Sequence, residues 1–295
     1  MQEKIYCCKM TDSSDDPGIA AEFLSAMEFD FSTWESRLEK LNIHTVYCAT
    51  EKDAVSVMDE LEKHASDWND CGAGIGNFEL VTIDKEDWAE VWKKHFKLRH
   101  VSEKLIIKPS WIDYTPSAGE AVVVLDPGMS FGTGQHPTTF FCLRMIDILS
   151  AKTADASFLD AGCGSGILAI AAKKLGFNKI SAFDIDPDAT EIAKENFEIN
   201  NIDMNQIRLE TASLEEFAPA QEGYDVIAAN ILSGILIRNR DTLLAMLKPS
   251  GHIILAGILA TEYDNVKNAF TEAGLREIEN FQEQEWKSGL FHKSL

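Results

Sequence analysis

An α/β doubly wound sheet, preceded by a smaller α+β unit, is the architecture this 295-residue sequence predicts. Three observations predict it. From Leu105 onward, short apolar runs alternate with amphipathic runs in strand, loop, helix order. A turn carrying Gly162, Gly164 and Gly166 joins one such strand to a helix. An acidic residue, Asp184, then follows 22 residues after Gly162, where a Rossmann-like sheet places the carboxylate that accepts from ribose hydroxyls.

The length exceeds a usual single domain, and the pattern divides it into residues 1–86, a connector at 87–102 and residues 103–295. In the first segment "KIYCCKM" reads as a strand, 17–27 as a helix opened by Pro17, and "HTVYCAT" as a strand. Residues 53–68 read as a helix with Val55, Met58, Leu61 and His64/Ala65 on one face, and "NFELVTID" as a further strand. That order predicts a small ferredoxin-like α+β sandwich. Gly72, Gly74 and Gly76 resemble a phosphate loop in letters only; no convincing strand precedes them, so a flexible turn is expected. Residues 87–102 are expected to form a helix carrying Trp88, Val91, Trp92 and Phe96 on one face.

In the remaining segment, strands are expected near 105–111 and 121–125. A turn at Asp126-Pro127-Gly128 and a flexible Gly132-Thr133-Gly134 come before a helix starting near Pro137, where Thr138 and Thr139 supply hydroxyls. Phe158–Asp160 ends an apolar strand and Ile167–Leu175 continues as a helix whose first N–H groups face the glycine turn. Asp186-Pro187 reads as a helix cap followed by the first helical residue. Asp225–Ala229 is a buried strand, and Asn230 stands just past it, where doubly wound sheets bind ligands. Asn230 equally suits the cap of the next turn. Ile231 and Leu232 are expected to exclude water there. The end of the chain, "GLREIENFQEQEWKSGLFHK", reads as an antiparallel hairpin on the sheet edge.

The net charge of −21 sets further bounds. Residues 1–86 hold 19 acidic against 7 basic side chains. An acidic surface repels phosphate backbones and attracts basic partners, so direct nucleic-acid binding is disfavoured and a basic protein partner is permitted. No apolar run reaches the ~20 residues that span a bilayer, and the start lacks a signal-peptide pattern, so a cytoplasmic protein is expected, and separately a monomer. The six cysteines form no C-x-x-C pair and no zinc spacing with histidine, so buried reduced thiols and no metal are expected.

Four segments, "LDPGMSFGTGQHPTT", "DAGCGSGILAIAA", "DIDP" and "ANIL", occur in that order, flanked by "KLIIKPSW" and "EWKSGLFHK". Together they resemble the class I methyltransferase fold and, more narrowly, the ribosomal protein L11 methyltransferase (PrmA) family, over roughly residues 87–295. The resemblance departs at Gln135 and Ser233. It implies S-adenosylmethionine as cofactor, held by Thr139, Gly162, Asp184 and Asn230, with Gly164, Gly166 and Phe131 completing the candidate set. It also implies transfer of methyl groups to lysine or N-terminal amines of free ribosomal protein L11, and an N-terminal domain that recognises that substrate. The negative field of Asp184 and Asp186 suits a sulfonium better than a dinucleotide's phosphates.

Asn230 is the candidate catalytic residue, orienting the incoming amine; His136 is the nearest candidate base, and a structural role before Pro137 is its other reading. Three alternatives compete. One is a lysine methyltransferase acting on a different basic protein. Another is a nicotinamide-dependent oxidoreductase using Tyr263 and Lys267, whose bland account is a helix-surface pair. The third is a cofactor-binding module without catalysis.

Overall fold

The computed structural model describes residues 4–14, 17–27, 29–36, 41–84, 96–126, 136–150 and 155–294. The backbone divides into two compact units, Met1–His95 and Phe96–Leu295.

In the first unit the order is β1 (Lys4–Asp12), α1 (Gly18–Ala26), β2 (Phe31–Ser36), β3 (Leu41–Cys48), α2 (Glu51–Asp70) and β4 (Ile75–Asp84). The strands pair antiparallel in the order β2-β3-β1-β4, the ferredoxin-like arrangement. Period two places Cys8, Met10 and Val46 against Ala20 and Leu24 of α1 and Leu61 and Trp68 of α2, forming the core. Thr50 caps α2 by accepting from the Asp53 N–H (3.2 Å).

Several expectations need correction here. The buried stripe of α2 is Ala54, Leu61 and Trp68, seven residues apart, while Val55 and His64 are exposed. The long aromatic Trp68 stacks on Phe23 (centroids 5.1 Å apart), which sets the helix rotation. Ile75 and Gly76 belong to β4 and are not part of a turn. The edge strand β2 was not anticipated. Of the cysteines, Cys7, Cys8, Cys142 and Cys163 are buried, but Cys48 is half-buried and Cys71 exposed.

The second unit opens with β5 (Arg99–His100), β6 (Leu105–Lys108) and β7 (Ala121–Val124), a small sheet of its own and not an extension of the main one. The expected connector lies largely outside the described residues; Arg99–His100 is a strand, so no helix reaches 102. There follow α3 (Pro137–Ser150), β8 (Ser157–Ala161), α4 (Ile167–Lys174), β9 (Lys179–Asp184), α5 (Pro187–Ile199), β10 (Ile207–Thr211) and β11 (Tyr224–Asn230). Then come α6 (Ser233–Arg238), α7 (Arg240–Met246), β12 (Leu247–Leu259), α8 (Tyr263–Glu272), β13 (Leu275–Glu283) and β14 (Trp286–Lys293).

The main sheet runs β10-β9-β8-β11-β12-β14-β13. Its first five strands are parallel, and the β13–β14 hairpin closes the edge, β14 pairing antiparallel with β12. Helices cover both faces, so alternate residues enter two cores: Phe158 and Ala228 one, Leu159 and Ile227 the other. Strand order reverses between β8 and β11, and a crevice opens at the carboxyl ends of the strands there.

Candidate active site

Chain direction reverses sharply after β8, and glycine makes this possible. Gly162, Gly164 and Gly166 all have positive φ. The Gly162 and Cys163 N–H groups both donate to the Phe183 carbonyl (2.9 and 3.0 Å), tying the turn to β9. A Cβ on Gly162 would collide with the Ile231 side chain, so only glycine fits. Asn196 secures the far side by donating to the Ser165 carbonyl (2.9 Å).

Asp184, the last residue of β9, holds the neighbouring backbone. Its Oδ2 accepts from the Gly164 N–H (2.9 Å) and its Oδ1 from the Asp186 N–H (3.1 Å). Each carboxylate oxygen keeps a further lone pair for a ligand. Asp186 caps α5 by accepting from the Asp188 N–H (2.9 Å), with Pro187 next. Across the crevice the Asn230 amide donates to the Thr139 hydroxyl (3.4 Å), and Thr139 is buried at the start of α3.

The crevice encloses about 370 Å³, within the range of small-molecule sites. It brings together Thr139, Gly162, Gly164, Asp184 and Asn230. Gly166 stands apart from this lining. A Cβ there would meet the Ala193 methyl at 3.1 Å, so this glycine serves the packing of α4 on α5. Phe131 and the second glycine loop lie outside the described residues. Ile231 lines the cavity but Leu232 is 67% exposed, so it does not wall off water there.

Other lining residues escaped the sequence reading. Ile185 is 73% exposed between two acids and offers an apolar face to the cavity. Ser213–Glu215 line the opposite side after β10. Their turn closes when Ser213 N–H and Oγ donate to Glu216 (3.2 and 3.0 Å), a Ser-x-x-Glu box visible in the sequence but passed over. Arg238, on α6, also reaches the lining. Nothing local marks it.

Beneath the glycine turn, Asp160 is fully enclosed. Burial, reinforced by the negative charge of Asp184, pushes its pKa up to about 8 against the pull of the Ala169 N–H. Burial, with Asp160 and Asp184, likewise drives the Cys163 thiol upward, so it is no nucleophile at neutral pH.

His136 accepts or shares a hydrogen bond with the Thr138 hydroxyl (2.7 Å) and packs edge-on against Trp286 (4.8 Å). Burial lowers its pKa against an opposing pull from Glu285. Tyr263 is fully buried, not on a helix surface. Its hydroxyl donates to Glu277 (2.6 Å), and Lys267 pairs with the same carboxylate. The pair therefore braces α8 on β13 and lines no part of the crevice.

A carboxylate at the end of β9, a turn with no room for a Cβ, and apolar flanks at Phe183, Ile185 and Leu214 fit a nucleoside-bearing cofactor. The five parallel strands with a terminal antiparallel hairpin and this crevice define a class I methyltransferase that uses S-adenosyl-L-methionine. A family model described as ribosomal protein L11 methyltransferase (PrmA) matches residues 15–294. The ribosomal protein L11 methyltransferase of Herpetosiphon aurantiacus is 38% identical over 229 residues, 72% of this chain and 71% of its own length. That of Geotalea daltonii is 36% identical over 280 residues, 91% of this chain and 87% of its own. The crystal structure of a ribosomal protein L11 methylase from Lactobacillus delbrueckii subsp. bulgaricus superposes with a TM-score of 0.60 at 32% identity, covering 68% of this chain and all of that one. The chain belongs to the ribosomal protein L11 methyltransferase family. The oxidoreductase reading falls with that assignment.

Proposed function

We propose that the chain methylates lysine side chains or the N-terminal amine of free ribosomal protein L11. The observation that carries this reading is the pairing of Asn230 with Thr139 in the crevice wall, in a chain whose relatives bear that substrate in their names. The site of action is the cytoplasm and the working form a monomer, without direct nucleic-acid contact. Among the described residues no helix is long and apolar enough to cross a membrane. A net charge of −21 supports a basic protein as partner. Residues 1–86 serve as the substrate-recognition domain.

In this reading Asp184 would accept from the ribose hydroxyls, the Gly162 and Gly164 turn would leave room for the cofactor, and Thr139 and Asn230 would help to hold it. Phe131 completes the set. Gly166 keeps its place in the loop by packing alone. Bound S-adenosylmethionine supplies an activated methyl group: the amine lone pair forms the N–C bond as the C–S bond breaks, leaving a thioether. The protein's contribution is alignment and a dry site, terms worth roughly 7–11 kcal/mol in well-oriented systems. A lysine amine with an ordinary pKa of about 10.4 has to lose its proton first. The Asn230 amide oxygen then orients the neutral amine, and the proton passes to water. His136, held by Thr138 and Trp286, is structural.

Labelled methyl from S-adenosylmethionine should appear on amines of purified ribosomal protein L11, located by mass spectrometry. No label, with cofactor still bound, would move the substrate to another basic protein. Asn230→Ala should lower kcat roughly 100-fold when measured at saturating cofactor; unchanged turnover there would remove Asn230 from the mechanism.

A further inference from the structure

Beside the cofactor crevice, within the second unit, lies another recess of about 430 Å³ that shares Ile235 and Arg238 with it. Leu232, Leu259 and Trp286 line this recess, and Leu259 and Trp286 are cross-strand partners on β12 and β14. Leu259 is 38% exposed, and Leu232 is more open still. Large aliphatic side chains held out in water beside a catalytic crevice mark a surface that another molecule covers.

The recess also holds one carboxylate, Glu262. It occupies the N-cap position of α8, yet its side chain makes no capping bond. Instead, the Ser233 hydroxyl donates to Glu262 Oε2 (2.5 Å), joining the turn after Asn230 to the start of α8. Arg238 lines both cavities and so stands at their junction, whereas Glu262 lines only the outer recess.

We propose that this recess is the entry channel for the target amine. Its alkyl stem lies along Leu232, Leu259 and Trp286, and its ammonium is met first by Glu262. The proposal rests on the reading of the chain as a protein-amine methyltransferase. An apolar trough with one carboxylate fits an alkylammonium; a purely apolar side chain covers Glu262 without compensating its charge, and an acidic one is repelled by it. The two lining residues it shares with the crevice set the recess beside the reacting end, which supplies the direction of travel. At the junction, the Arg238 guanidinium disfavours the charged amine, so the substrate is favoured to shed its proton between Glu262 and Asn230.

The test uses the full chain loaded with S-adenosylhomocysteine, titrated calorimetrically at pH 7 with hexylamine and with 1-hexanol. Hexylamine should bind at least five-fold more tightly than hexanol. The preference should vanish in Glu262→Gln, while Leu259→Ser should weaken both ligands several-fold. Equal affinity for the two ligands, absence of binding, or a preference retained in Glu262→Gln would overturn the proposal. A parallel assay of methyl transfer to ribosomal protein L11 separates the two readings. A chain that shows the hexylamine preference but leaves that protein unlabelled would retain the recess and lose the substrate.

Discussion

Asp12 in the first unit and Asp160 in the second both have none of their surface exposed, and yet their pKa values shift in opposite directions. Asp12 Oδ1 accepts from the Ser14 and Gly74 N–H groups (2.7 and 3.1 Å), and Oδ2 meets His44 Nε2 (3.3 Å). Burial pushes this carboxyl up, but the hydrogen bonds outweigh it and hold the pKa below the usual range. Asp160 accepts only from the Ala169 N–H (3.0 Å), and its Oδ1 has no hydrogen-bond partner among the described residues. There burial wins. Asp160 is the more deeply buried of the two, so depth of burial and donor supply together decide which way each carboxyl shifts. The first unit uses its carboxylate as a structural tie. The second leaves acceptor capacity unfilled next to a ligand crevice.

The sharpest way to break this contrast is Asp12→Ala. It strips partners from two backbone N–H groups and a buried histidine, and should cost about 3–5 kcal/mol of stability in urea unfolding. A cost under about 1 kcal/mol would mean that the tie is not structural. On the ligand side, Gly162→Ala forces a Cβ against Ile231 at φ +75°. Cofactor affinity should fall roughly 100-fold, about 2.7 kcal/mol, by calorimetry. Asp184→Asn keeps only one of the two oxygens that hold the backbone, turns the other into an N–H donor and removes the charge facing the ligand. It should weaken cofactor binding about 10- to 100-fold, as charged hydrogen bonds of about 1.5–3 kcal/mol predict. Unchanged affinity would take the ribose role from Asp184.

A pH slope reads the same contrast. With a folded pKa near 8 and an ordinary unfolded value of about 3.9, Asp160 holds a proton in the folded state that the unfolded chain has released. Stability should therefore fall as pH rises between those values in the cofactor-free protein. Asp160→Asn should flatten that segment. Asp12 works the other way: its folded pKa is depressed, so its contribution is present above the ordinary value and lost as pH falls through the folded one. A wild-type slope unaltered by Asp160→Asn would place the buried proton elsewhere.

Much of the crevice was legible because its signals are local. The Gly162 turn, the Asp186-Pro187 cap and Asn230 after an apolar strand depend on residues adjacent in sequence. The parallel order followed from apolar runs alternating with helices, whereas the largely polar β13 made the terminal hairpin a matter of family resemblance. Less legible was anything set by a partner from elsewhere in the chain. Periodicity put Val55 on the buried face of α2, but stacking of Trp68 on Phe23 turned the helix. Tyr263 and Lys267 spelled a surface pair until Glu277, from β13, met both.

Left to itself, the sequence determined where the backbone turns, which strand ends carry polar groups and which residue types stand there, since φ preference, capping and alternation act over a few neighbours. Tertiary structure alone decided that Gly166 packs helices instead of lining the cavity, and that Leu232 faces solvent. It also decided that Asp12 is ionised while Asp160 is not. Those outcomes depend on donors and van der Waals surfaces brought from distant positions, as the Gly74 N–H is brought to Asp12 across 62 residues.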